Sequence, residues 1–237
     1  MTSKERMLAA IQRKVPDRLP VTTHHVMPYF LNKYLNGVSS DEFFDIFGFD
    51  PILWTVPHKP DVSKGEYYDP EQGELGFLDS RRILSDNWRI ETEELPDPVY
   101  KTIRYRVITP KGTLTAVLQS NSYTTWVSEH LIKNKEYIEI LAQYATTPKC
   151  DVDAVNKAAE AYGDRGLVRG HICTADIFGQ PGCWQDACEL YGVENMIMAV
   201  FDKPDWVKEF LRILLQQKLD YIEKNLKGLP FDLIETG

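Results

Sequence analysis

What this chain has little of narrows the field first. It holds four cysteines in 237 residues, Cys150, Cys173, Cys183 and Cys188. Their spacing makes no disulfide framework in a chain this long, so reduced thiols in a cytoplasmic protein are expected. A basic stripe is missing too: 27 Lys and Arg stand against 35 Asp and Glu, for a net charge of −8. That balance argues against a nucleic-acid partner, which needs clustered cations to meet its phosphates. No apolar run is long enough to cross a bilayer, so no membrane partner is expected. The opening "MTSKERMLAAIQRK" has no apolar core of the signal-peptide kind.

What is present is α/β patterning. "TSKERMLAAIQR" predicts a helix, with Thr2 and Glu5 at capping-box spacing and Met7, Leu8 and Ile11 as its apolar stripe. Two prolines in "VPDRLP" stop it. "LPVTTHH" predicts a strand from its β-branched residues. "SSDEFFDIFG" predicts a short helix from a serine cap to Gly48. "DPILWTV" has the length and two-sided apolarity of a buried parallel strand. Residues 60–100 carry little periodicity. After them, "KTIRYRVITPKGTLTAVLQS" places two β-rich runs around "TPKG", a hairpin signal. Helical patterns follow in "NKEYIEILAQYA", "DVDAVNKAAEAYG", "CWQDACELYG" and "VENMIMAVF". The longest, "KPDWVKEFLRILLQQKLDYIEKNLKG", runs from Pro204 near its first turn to Gly228 at its stop. "GLVRGHIC" and "FDLIETG" predict two further strands.

Strands alternating with helices predict a parallel sheet with crossovers. Four barrel-type strands are expected, near residues 19–25, 50–56, 166–173 and 231–236. A full (β/α)8 barrel takes roughly 250 residues without insertions. The expectation is therefore a partial TIM barrel spanning 1–237, the N-terminal portion of a longer domain, with an antiparallel β-hairpin insertion at 60–128.

"ERMLAAIQRKVPDRLPV" resembles the opening of the uroporphyrinogen decarboxylase superfamily, where a helix leads through a "PDR-hydrophobic-P" turn into the first strand. "YRVITPKGTLT" is similar to a segment of its methyltransferase-like branch. The resemblance implies a (β/α)8 barrel with its site at the C-terminal strand ends. It offers two chemistries. Decarboxylases carry an Arg-Gln-Ala-Gly-Arg motif after the first strand, to hold substrate carboxylates, and an aspartate after the second. Here those places read "THHVMPYF" and "LWTVPH", with Val56 and Pro57. The other branch moves methyl groups from a corrinoid (methylcobalamin, or a corrinoid protein as partner) or a methylated donor to a thiol or pterin. Its thiol-activating members bind zinc through a His-x-Cys pair on the fifth strand and a distant Cys. The expected function is thus a corrinoid-linked methyltransferase acting on a small-molecule substrate. The alternatives are a uroporphyrinogen decarboxylase and a non-catalytic module that binds a ligand or corrinoid protein.

The candidate residues sit at expected strand ends. His24 and Glu235 are the candidate catalytic acid–base groups, since imidazole titrates near neutrality and a carboxylate can act as base. His25, Trp54, His58, His171 and Asp176 are candidate substrate contacts, with Trp54 as an aromatic wall. Asn121 and Tyr123, in "QSNSYTTW", read either as a substrate contact or as an exposed turn. His171 and Cys173 are two apart in a strand and face one side. They form an alternative zinc pair, set against the simpler reading of a pocket-wall histidine and a buried small thiol.

Overall fold

The computed structural model describes residues 1–55, 57–70, 82–134, 136–147, 149–172 and 181–236. Along the chain it forms α1 (Ser3–Ile11), α2 (Pro28–Tyr34), α3 (Ser40–Phe47), β1 (Ile52–Trp54), β2 (His58–Lys59), β3 (Glu66–Tyr68), β4 (Ile83–Ser85), β5 (Arg89–Leu95), β6 (Lys101–Thr109), β7 (Gly112–Ser120) and β8 (Thr125–Glu129). Next come α4 (Tyr137–Tyr144), β9 (Lys149–Cys150), α5 (Val152–Tyr162), β10 (Leu167–His171), α6 (Cys183–Tyr191), α7 (Val193–Asp202), α8 (Pro204–Tyr221) and β11 (Leu233–Glu235). The chain is mixed α/β. Its described strands form several small sheets, none closed into a barrel. They divide between two compact units.

The first unit comprises Met1–Thr55, Val152–His171 and Gly228–Ile234. Its helix starts follow from local chemistry. Thr2 accepts from the Glu5 amide while Glu5 reaches back to the Thr2 amide, and Ser39 and Glu42 repeat the arrangement at α3. Each box satisfies two amides that a helix start leaves open. Gly48 closes α3 in the left-handed region (φ 63°), as its place after the apolar run predicts. Leu31, Phe43 and Phe44 pack a small core between α2 and α3. The sheet has the order β1-β10-β11, with β1 and β10 parallel and Trp54 in register with Arg169. Asp232, at the entry to β11, accepts from the Val168 amide (2.9 Å) and pairs with Lys4 of α1 (2.9 Å).

One expected strand does not form. Residues 19–25 belong to no strand. Their β-branched residues favour extended backbone, yet a strand also needs a neighbour to take its amides. Val21 instead donates its N–H to the Asp50 side chain (2.9 Å) and accepts from the Asp50 N–H (2.6 Å). Leu19 stands 80% exposed, which no buried barrel strand would allow.

The second unit comprises Val56–Asp151, Ile172–Lys227 and Glu235–Gly237. The hairpin at "TPKG" forms, with Thr109 opposite Gly112. It is the centre of a four-stranded antiparallel sheet, β5-β6-β7-β8, so the β-structure here exceeds the single hairpin expected. β3 pairs with β4, and β2 with β9. Trp88, Val107, Leu114, Leu141, Met196 and Phe210 lie in one core shared by that sheet and helices α4, α6, α7 and α8. α8 starts on Pro204 and runs on through a π turn, Ile222–Leu226. Inside this unit Lys218 and Asp186 form a buried ion pair (2.7 Å).

Candidate functional site

The "PDR" turn after α1 shows what its residues do. Asp50 is fully buried just before β1. It receives Arg6 Nη1 (2.5 Å), both terminal nitrogens of Arg18 (3.0 Å each) and the Val21 amide. Arg6 also holds Asp17 through Nε (2.6 Å) and Nη2 (3.0 Å). Two arginines and two aspartates so form a clasp in which the buried charge is paired, as burial demands. Burial alone would raise the Asp50 carboxyl. The Val21 amide, Ser3 and Arg6 hydrogen bonds and the Arg18 charge outweigh it and hold the carboxyl below its ordinary value. The hydrogen bond from Arg6 likewise holds Asp17 well below the carboxylate range. The clasp ties the segment after Pro20 to the start of β1, and that segment carries His24 and His25.

At the C-terminal end of β1, Trp54 is the hub of a cluster. The guanidinium carbon of Arg169, on β10, lies 4.2 Å from the centre of its ring. The rings of His24, His171 and His25 lie 5.3, 5.6 and 6.3 Å from Trp54. His24 and His25 meet edge-on at 4.7 Å. Arg169 Nη1 stands 2.6 Å from His24 Nδ1. The cluster thus joins a buried cation, an aromatic face and three imidazoles, with both histidines of the loop exposed. A cation over an indole is attracted by the ring's negative face, by about 2 kcal/mol when water is excluded.

The alternation of β10 explains who takes part. Arg169 and His171, two apart, share a face. Between them Gly170 lies against Phe231, where an added Cβ would meet the ring at 3.0 Å. Gly166, before the strand, is packed tighter: a Cβ there would stand 2.0 Å from the Pro51 carbonyl oxygen. The parallel pairing that aligns Trp54 with Arg169 therefore needs no side chain at 166.

Of the residues singled out in the sequence, His24, His25, Trp54 and His171 come together. The others lie elsewhere. His58 is in β2 of the second unit, its ring 6.4 Å from that of Tyr221 and its carbonyl accepting from the Tyr68 hydroxyl (2.8 Å). Asn121 shapes the β7–β8 turn, its Oδ1 accepting from the amides of Tyr123 (2.8 Å) and Thr124 (3.0 Å). Tyr123 is exposed in that turn. Glu235 ends β11, half-buried. Cys173 and Asp176 fall outside the described residues. The residue missed was Arg169. Its signal was present: a charge inside the otherwise apolar run "GLVRGHIC", two residues before a histidine already chosen.

Among the described residues no group of three or more His, Cys, Asp or Glu could hold a metal ion. A structural or catalytic zinc needs three or four such ligands. Burial pushes the Cys150 thiol up to about 11 and the Cys188 thiol upward as well. Burial thus disfavours the thiolate form at both.

No family model matches the chain. Neither a curated protein nor a solved structure matches it.

Proposed function

We propose that β1, β10 and β11 are consecutive strands of a barrel of the (β/α)8 kind. We propose further that the cluster at Trp54 is the substrate pocket of a uroporphyrinogen-decarboxylase-like methyltransferase, linked to a corrinoid donor. One observation carries the reading: an aromatic face, a buried cation and three imidazoles meet where two parallel strands end. Sheet order that follows chain order, β1-β10-β11, supports the barrel. In this fold the C-terminal strand ends form the reactive mouth. Trp54 offers a flat surface to a planar acceptor such as a pterin. His24 orients the reacting group through a hydrogen bond. The methyl passes by in-line displacement: the donor–methyl bond breaks as the acceptor–methyl bond forms, and the donor keeps the electron pair.

The test is incubation of the whole gene product with methylcobalamin and a series of thiols and reduced pterins, following the corrinoid spectrum. Demethylation with one acceptor, lost in Trp54→Ala, is the expected result. No demethylation with any of them sinks the reading.

Arg169 favours a second reading. "THHVMPYF" lacks the arginines of a decarboxylase, but Arg169 brings one guanidinium to the pocket, where it can pair with a carboxylate. Release of carbon dioxide from uroporphyrinogen, abolished in Arg169→Met, would decide for decarboxylation over methyl transfer.

A further inference from the structure

We infer that Arg169 is a positioning residue that holds His24 neutral, with its single ring proton on Nε2. The argument starts from donor chemistry. A guanidinium has N–H donors and no acceptor, and it stays protonated at any working pH. Arg169 Nη1 lies 2.6 Å from His24 Nδ1. At that distance one atom donates, and it can only be the arginine. Nδ1 must then be the bare, accepting nitrogen, and the proton of a neutral ring must sit on Nε2.

Arg169 is itself fixed. It is 7% exposed, its guanidinium carbon lies 4.2 Å from the centre of the Trp54 ring, and it stands in a strand whose register is set by β1. The buried cation therefore cannot swing away when His24 takes up a second proton. Protonating Nδ1 would set one N–H against another and one cation beside a second, which disfavours the charged ring. Arg169 from β10 and His25 from its own loop both face His24; Trp54, from β1, carries no charge. His25, when protonated, acts in the same direction.

The consequence is a histidine that presents an N–H donor rather than a base near neutral pH. In the pocket it would donate a hydrogen bond to an acceptor on the ligand: a ring nitrogen, a carbonyl or a carboxylate. That use rests on the methyl-transfer reading. The protonation state does not, and the experiment contains no methyl donor, so the two can fail separately.

The experiment is imidazole nitrogen NMR on the whole protein across pH. The chain has five histidines, and His24→Gln identifies the signal. Expected are a bare Nδ1 and a protonated Nε2 at pH 7, with a titration midpoint at least about one unit below the ordinary value of about 6.5. Arg169→Met, which keeps the bulk and removes both donor and charge, should return the midpoint to the ordinary range. A protonated Nδ1 at pH 7, or a midpoint that Arg169→Met leaves unmoved, overturns the inference. Should that variant not fold, the unaltered protein decides. A through-hydrogen-bond coupling between Arg169 Nη1 and His24 Nδ1 supports it, and an absent coupling overturns it.

Discussion

Asp50 answers for two separated chain segments at once. Arg6 comes from α1 and Arg18 from the turn after it, and both end on one carboxylate with no exposed surface. Removing that carboxylate takes the ion-pair partner from Arg18 and leaves the buried Arg6 with Asp17 alone. Asp50→Ala should therefore cost about 3–5 kcal/mol, the usual result of breaking a buried pair from one side. Urea unfolding followed by far-ultraviolet dichroism measures it. The pH dependence has a definite sign. Asp50 and Asp17 are both held below their ordinary values in the folded chain. Their contribution is complete above the unfolded aspartate value of about 3.9 and is lost as pH falls below it. Stability should fall steeply below about pH 4, and Asp50→Asn should flatten that fall.

At the scale of elements, β10 is the strand on which the site depends. It aligns Trp54 with Arg169, and it carries His171 on the same face as Arg169. Gly166 lets it approach, since a Cβ would stand 2.0 Å from the Pro51 oxygen, a backbone atom that cannot rotate aside. Gly166→Ala should push β10 from β1 and lower stability by about 1–3 kcal/mol, as overpacking does. The same shift should move the cation off Trp54. A thermal melt measures the first effect, and the chemical shifts of the Trp54 ring measure the second. A variant that leaves both unchanged would show that the strand pair tolerates more room than the geometry allows.

On the scale of the whole molecule, two separate cores divide the stability. The Asp50 clasp lies in the first unit; Phe210, fully buried on α8, lies in the core of the second. Phe210→Ala should cost about 3–5 kcal/mol. Because the two sites lie in different units, the losses from Asp50→Ala and Phe210→Ala should add to within about 0.5 kcal/mol in the double variant. Hydrogen exchange should place the faster amides of each single variant in its own unit. The first unit is assembled from three separate chain segments. Its β1–β10 pairing is thus long-range, and such pairing closes late in folding.

Much of the local structure was legible in the residues alone. Thr2, Ser39, Gly48 and Pro204 mark helix ends where the structure has them, and Thr109 to Gly112 turns as its neighbours suggest. Caps and turns are decided by groups within about four residues, so a short window contains their causes. The segment 19–25 shows the limit. Its composition favours extended backbone, but whether that becomes a strand depends on a partner, and Asp50 supplied a different one. The four ring residues of the cluster were chosen from strand-end position. Arg169 was passed over because a charge in an apolar run has no visible partner until Trp54 and His24 are beside it. What the sequence by itself determined is where helices start, where chains turn and which residues alternate across a strand. Only the tertiary structure decided which cation stacks on which ring and which carboxylate gathers the arginines. Those choices are made between residues far apart in the chain, where burial and hydrogen-bond satisfaction rather than local propensity select the partner.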